Sequence, residues 1–168
     1  RVIEIDRQGA LRNILFIPKE ERKVGNIIEF DDTLWLSYDI YGSTVDDIKL
    51  RVSKVNDIMK WKDKSGEIHE IPCITSTSYL GSGSKSNDTG LTYNIFDVRL
   101  PIGKIFMFVE LNKLTTEVEL GQRFICCKKV YKVQHVDGTS IVDSNYYGVL
   151  QITLALDLEY NERDDFVN

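Results

Sequence analysis

The sequence predicts an all-β, or mainly β, protein: two small β-barrel-like units joined by a hairpin and a long polar loop. Three observations lead there. Short apolar or alternating runs recur at spacings of roughly 8–12 residues, with turn residues between them. β-Branched and aromatic residues fill those runs, while helical periodicity is weak. Two stretches also align without gaps at an offset of 96 residues, "VGNIIEFDDTLWLSYDIYG" from Val24 and "LGQRFICCKKVYKVQHVDG" from Leu120.

The elements follow in order. Arg1 to Ile5 alternates, and Asn13 to Ile17 is a short apolar run stopped by Pro18. Asn26 to Phe30 and Leu34 to Ile40 are strands separated by the turn-forming pair Asp31 and Asp32. Ile48 to Val55 alternates again. Ile58 to Ile74 reads as a hairpin turning at Lys64, Ser65 and Gly66, and Pro72 marks an edge position because proline cannot donate to a ladder. Thr75 to Gly90, "TSTSYLGSGSKSNDTG", is a polar arm whose large apolar residues are Tyr79 and Leu80. Strands resume at Leu91 to Leu100 and Lys104 to Leu111, and helix signals are confined to a short stretch at Asn112 to Thr116 or beyond Asn161. This divides the chain into a first unit over 1–57, a second over 58–160 that contains the hairpin 58–74 and the arm 75–90, and an acidic tail over 161–168.

In the repeat, Gly25 matches Gly121, Ile28 matches Phe124, Trp35 matches Tyr131 and Gly42 matches Gly138. Each copy reads as a glycine turn, a strand, a polar turn, an aromatic-bearing strand and a glycine stop. Trp35 and Tyr131 are the expected anchors of the two units.

Composition excludes several functions. The chain has 168 residues, 42% hydrophobic and 28% charged, which is ordinary for a globular domain. Its net charge is −5, and Asp157 to Asn168 holds five acids against Arg163 alone. A protein that wraps nucleic acid through its phosphates needs extensive clusters of lysine and arginine, and here Lys60, Lys62 and Lys64 form one local cluster and Lys128-Lys129 a small second one. No apolar run approaches the ~18 residues of a membrane span, and no signal peptide is visible.

Chemistry-bearing residues are sparse. The three cysteines, Cys73, Cys126 and Cys127, form neither an even disulfide set nor a CxxC metal pair. Asp31-Asp32 and Asp46-Asp47 sit in turns, where aspartate is a normal turn former. His69 reads as solvent-facing in a hairpin arm. His135 and Asp137 share a strand face without a nucleophile nearby. "GSGSKS" at Gly81 to Ser86 lacks phosphate-loop spacing. The expectation is no catalytic residue, no metal and no cofactor. A β-barrel module that stacks single-stranded bases is the alternative of a different class, with Trp35, Tyr38, Trp61, Tyr93 and Tyr131 as its candidates.

The stretches "MKWKDKSGEIHEIPC", "VELNKLTTEVELGQRFICCKKVYKVQHVDG" and "GVLQITLALDL", with the N-terminal "VGNIIEFDDTLWLSYDIYG", resemble small virion proteins of tailed bacteriophages of Gram-positive hosts. The likeness is to proteins of the connector, stopper or head-closure type and spans roughly residues 24 to 158. It implies a β-rich, non-enzymatic subunit in a ring around the DNA channel. The implied partners are copies of itself, portal or adaptor proteins and tail proteins, with DNA passing through the lumen without sequence-specific binding and no membrane. The implied location is the virion, with a tail tube, hub or baseplate component as the alternative. In this reading Tyr79, Leu80, Gly81, Gly83 and Lys85 belong to an assembly arm that pairs with a neighbouring chain.

Overall fold

The computed structural model describes residues 2–4, 11–15, 24–41, 49–77, 102–137 and 148–158. Among the described residues eleven strands run in chain order: β1 (Val2–Glu4), β2 (Leu11–Leu15), β3 (Ile27–Phe30), β4 (Thr33–Tyr41), β5 (Lys49–Lys54), β6 (Asp57–Lys62), β7 (Ile68–Ser76), β8 (Lys104–Glu110), β9 (Arg123–Cys126), β10 (Lys129–Asp137) and β11 (Val149–Leu156). Every pairing is antiparallel. β1 to β5 form a five-stranded sheet in the order β1-β2-β5-β4-β3, and β6 to β11 close a barrel in the order β10-β11-β8-β7-β6-β9. The all-β class follows from the alternation in the sequence; of the two β units, the second is a closed barrel and the first, among the described residues, is a five-stranded sheet.

The two units share one strand order, and their β3–β4 and β9–β10 hairpins correspond residue for residue. β3 and β4 map onto β9 and β10 at the same offset of 96, which places Asp31-Asp32 on Cys127-Lys128. All four of these turn residues have positive φ, between 52° and 58°. That is the two-residue hairpin turn whose twist matches the flanking strands. Each long strand then carries a bulge at the equivalent place, between Ser37 and Asp39 in β4 and between Val133 and His135 in β10. A bulge bends and twists its strand, which curls the sheet. Gly25 N–H donates to Ser37 O at 2.7 Å, and Gly121 N–H donates to Val133 O at 2.9 Å. Strand order agrees as well: β3-β4-β5-β2-β1 repeats as β9-β10-β11-β8-β7, and β6 then closes the second unit between β7 and β9.

Alternation decides which side chains fill which core. Met59, Trp61, Met107, Val109, Phe124, Tyr131, Val133, Ile152 and Leu154 fill the barrel. In the sheet, Trp35, Leu50 and Val52 form the equivalent cluster, with Ile28 and Phe30 partly buried against it. Trp35 is 2% exposed and Tyr131 7%. A third cluster joins the units: Leu36 and Tyr38 of β4 pack with Ile74, Phe106, Phe108 and Val149 of the barrel wall. β8 therefore shows Phe106 and Phe108 to the sheet and Met107 and Val109 to the barrel interior.

Several expectations need adjusting. Thr75 and Ser76 are not arm but the end of β7, paired with Met107 and Phe106. The rest of the arm, from Ser78, lies outside the described residues, as do Tyr79, Leu80, Gly81, Gly83 and Lys85 and the tail 161–168. β2 begins two residues earlier than the run at Asn13 suggests. The helix near Asn112 is a short 3-10 turn, Thr115–Glu117. Thr115 drives it: its buried hydroxyl donates to Glu110 O at 2.6 Å and accepts from Asn112 N–H at 2.9 Å. Pro72 pairs with Ile58, and the pairing of β7 with β8 begins at Ile74, so the proline lies where β6 is the strand partner. Asp157, counted from sequence with the acidic stretch, is instead a buried partner of Arg123 Nε at 2.7 Å.

The repeat supplies a matched pair of variants. An alanine at either glycine meets a positive φ, +97° at Gly25 and +84° at Gly121, which costs about 1–2 kcal/mol for an L residue. At Gly25 its Cβ would also stand 1.9 Å from Gly148 O, whereas at Gly121 the nearest atom is the end of the Lys132 chain at 3.9 Å. Urea denaturation should show Gly25→Ala losing clearly more stability than Gly121→Ala. Equal losses would contradict the close approach at Gly148.

Candidate functional site

The seam between the units is also where the chemistry-bearing side chains gather. A groove of about 640 Å³ runs along it, lined by Asp32, Leu34, Lys54, Asp57, Ile125 and Lys128 among others. Asn56 holds the crossing from sheet to barrel: its Nδ2 donates to Thr75 O at 2.9 Å, and its Oδ1 accepts Thr75 N–H at 2.8 Å.

Asp57, the first residue of β6, organises the groove wall. Its Oδ1 accepts Ile58 N–H at 2.9 Å, and its Oδ2 accepts Cys127 N–H. The second contact has a physical reason. Cys127 and Lys128 have no glycine or asparagine character, yet both occupy the left-handed region. Aspartate tolerates that region comparatively well, so the equivalent Asp31-Asp32 turn suits its conformation. The Cys127-Lys128 turn gains a carboxylate from another strand.

Three thiols converge near Asp57. Cys73 and Cys126 are buried in the barrel, and Cys127 is exposed at the turn, its Sγ 3.4 Å from Thr75 Oγ1. Asp57, Cys126 and Cys127 offer one carboxylate oxygen and two sulfurs within 4.8 Å of one another, donor types that zinc accepts. Against that use, burial pushes the Cys73 and Cys126 thiols far up and raises Cys127 as well, so the neutral form is favoured. Asp57 is also already committed to two backbone donors. The cluster works first as a clamp on the turn.

A second carboxylate organises the β6–β7 turn. Asp63 Oδ1 accepts the N–H groups of Ser65 and Glu67 at 2.8 and 2.9 Å and the Ser65 hydroxyl at 2.7 Å. Asp63 Oδ2 lies 2.9 Å from His69 Nε2. These contacts, His69 first, hold the Asp63 carboxyl well below the usual carboxylate range. His69 therefore differs from the sequence reading: it is part-buried, and its ring is tilted 44° against Trp61 at 6.0 Å. Glu67 completes a carboxylate–carboxylate–imidazole set, but turn formation accounts for the Asp63 contacts.

The remaining candidates separate. Asp31 and Asp32 form a turn, and His135 is exposed beside the β10 bulge. Trp35, Tyr38, Trp61 and Tyr131 are all less than 10% exposed. They are core residues and present no face on which a base can stack; Tyr93 lies outside the described residues. Sequence reasoning missed Asp57 and Asp63. Asp63 stands two residues before Ser65 and four before Glu67, a signal of an aspartate-capped turn. Asp57 carries no local signal, because its partner is 70 residues away.

The fold and these contacts define a duplicated β protein whose polar side chains secure turns and seams. The chain belongs to the YomX C-terminal domain family, a phage-associated family, whose model matches residues 57–155. That match begins at the first residue of β6 and ends in β11, so it covers the closed barrel. No curated protein and no solved structure matches the chain. No helix among the described residues is long and apolar enough to cross a membrane.

Two measurements check these environments. A thiol reagent should modify one cysteine per native chain, Cys127, and all three in urea; rapid native modification of three would contradict the burial of Cys73 and Cys126. Asp63 has a lowered folded pKa, so its contribution to stability is complete above the ordinary carboxylate value of about 4 and fades as pH falls through the folded value. The melting-temperature gap between the parent chain and Asp63→Asn should be full above that pH and narrow as the solution is acidified further. A gap unchanged down to pH 2 would contradict the assignment.

Proposed function

We propose that the chain is a non-enzymatic structural protein of a phage particle, a subunit that forms a ring with copies of itself around the DNA channel at the head–tail interface, of the connector or stopper type. The observation that carries this reading is the use to which the polar groups are put. Asp57, Asp63, Asn56 and Thr115 are spent on turns and on the seam of a repeated β fold, in a chain that belongs to a phage-associated family. A ring subunit needs a rigid body and surfaces that neighbours complete.

Its partners in this reading are further copies of itself and adjoining portal, adaptor or tail proteins, and its location is the virion. DNA passes without a sequence-specific grip, in keeping with a net charge of −5. The alternative of a base-stacking module is weakened because four of its five candidates, Trp35, Tyr38, Trp61 and Tyr131, are buried.

Quantitative mass spectrometry of purified particles, combined with antibody labelling in electron micrographs, tests the proposal. The expected result is several copies per particle, all at the head–tail junction. A chain absent from particles, or labelled elsewhere on them, would overturn it.

A further inference from the structure

The groove at the seam is basic and partly apolar. It is lined from the sheet by Leu34 and Lys54 and from the barrel by Ile58, Lys60, Ile125 and Lys128. Its acids are Asp32 and Asp57, and the Asp57 carboxylate is turned onto the N–H groups of Ile58 and Cys127. Apolar surface lies between the lysines: Ile58 is 48% exposed, and Leu34 and Ile125 are part-buried.

The end of β11 leads to the same face. Phe124 and Cys126 fill the barrel, so Arg123 and Ile125, at the alternate positions of β9, face outward. Asp157 N–H donates to Val130 O at 3.0 Å, and Val130 pairs with Ile125. Two strand spacings, about 10 Å, therefore separate Asp157 from the groove wall. The Asp157 carboxylate reaches Arg123 Nε at 2.7 Å, which fixes the chain on the outward face.

The segment that follows, residues 159–168, lies outside the described residues. Its sequence, EYNERDDFVN, sets Glu159, Glu162, Asp164 and Asp165 against Arg163, a net charge of −3, with Tyr160 and Phe166 as large apolar members. The other stretches outside the described residues, 5–10, 16–23, 42–48, 78–101 and 138–147, carry 0, +1, −2, 0 and −1. Charge thus favours the segment after β11 over the rest of the chain as the groove's occupant.

We propose that residues 159–168 dock in the seam groove of their own chain as an acidic strap. Continuing the β10–β11 register beyond Tyr131 and Leu156 sets Glu159 opposite Lys128, which lines the groove. The acids that follow meet Lys54 and Lys60, and Tyr160 and Phe166 cover the apolar floor. Ten extended residues reach about 33 Å, enough to cross from Asp157 and run along the groove. A second copy offers the same segment, but so short a tether holds the chain's own segment at an effective concentration on the order of millimolar, which favours the intramolecular contact. Because the groove is lined from both units, the strap ties the sheet to the barrel.

Zero-length carbodiimide cross-linking of the full chain tests this, with natural-abundance and heavy-nitrogen-labelled protein mixed in equal amounts and the products mapped by mass spectrometry. The expected products join Glu159, Glu162, Asp164 or Asp165 to Lys54, Lys60 or Lys128, with one isotope label on both ends. They should fall at least fivefold in 1 M salt, where the screening length is about 3 Å. A second measurement uses an arginine-specific protease. Lys54→Glu combined with Lys128→Glu, both at exposed positions, should speed cleavage after Arg163 at least fivefold while the chain keeps its melting transition. Absence of cross-links to these lysines, or an unchanged cleavage rate in the double variant, would overturn the proposal. So would cross-links of mixed label, because a second copy would then supply the segment.

Discussion

Strand β8 carries the constraint on which the rest of the structure depends. It must be apolar on both faces at once. Met107 and Val109 are 0% exposed inside the barrel, and Phe106 and Phe108 are 3% and 1% exposed against the first unit. A strand covered on one face would alternate apolar and polar residues; "KIFMFVE" does not, because each face has its own core. The partner surface on β4 is smaller. Leu36 and Tyr38 meet the phenylalanines, with Ile27 and Val55 at the margin. Removal of a buried phenylalanine side chain costs about 3–5 kcal/mol. Phe108 therefore matters to both units, although it belongs to one.

The two units preserve backbone geometry and change side chains. The glycine entry, the left-handed two-residue turn and the bulge recur at one offset, while the inward positions differ. Trp35 stands for Tyr131. Ser37 stands for Val133 and compensates its buried hydroxyl by donating to Asn26 O at 3.1 Å. The turns diverge most. Asp31-Asp32 relies on residues that suit the left-handed region, while Cys127-Lys128 is held by Asp57 from β6. The strand that closes the second unit thus also secures its hairpin, and the family match begins at its first residue, Asp57.

Much of this was legible in the sequence for a local reason. Strands were visible because burial on one face imposes a two-residue period, and the hairpin 58–74 because Lys64, Ser65 and Gly66 interrupt it. The duplication was visible because Gly25 and Gly121, both at positive φ, are constrained by backbone geometry rather than by packing, and the apolar positions after them keep the same spacing. Closure was not visible: β6 meets β9 through Lys60 with Ile125 and Trp61 with Phe124, pairs more than 60 residues apart that no periodicity announces. The same distance hid Asp57 beside Cys127. His69 was misread as solvent-facing because alternation gives the side of a strand but not whether a neighbouring turn, here Asp63, reaches over it.

Two copies of one β plan are fused into a single mechanical body through the β8 faces. Differential scanning calorimetry of the intact chain tests it most directly. One transition is predicted, with calorimetric and van't Hoff enthalpies equal, as for any cooperative unit. Two resolved transitions, one for the sheet and one for the barrel, would show that the shared core of Leu36, Tyr38, Phe106 and Phe108 does not join them.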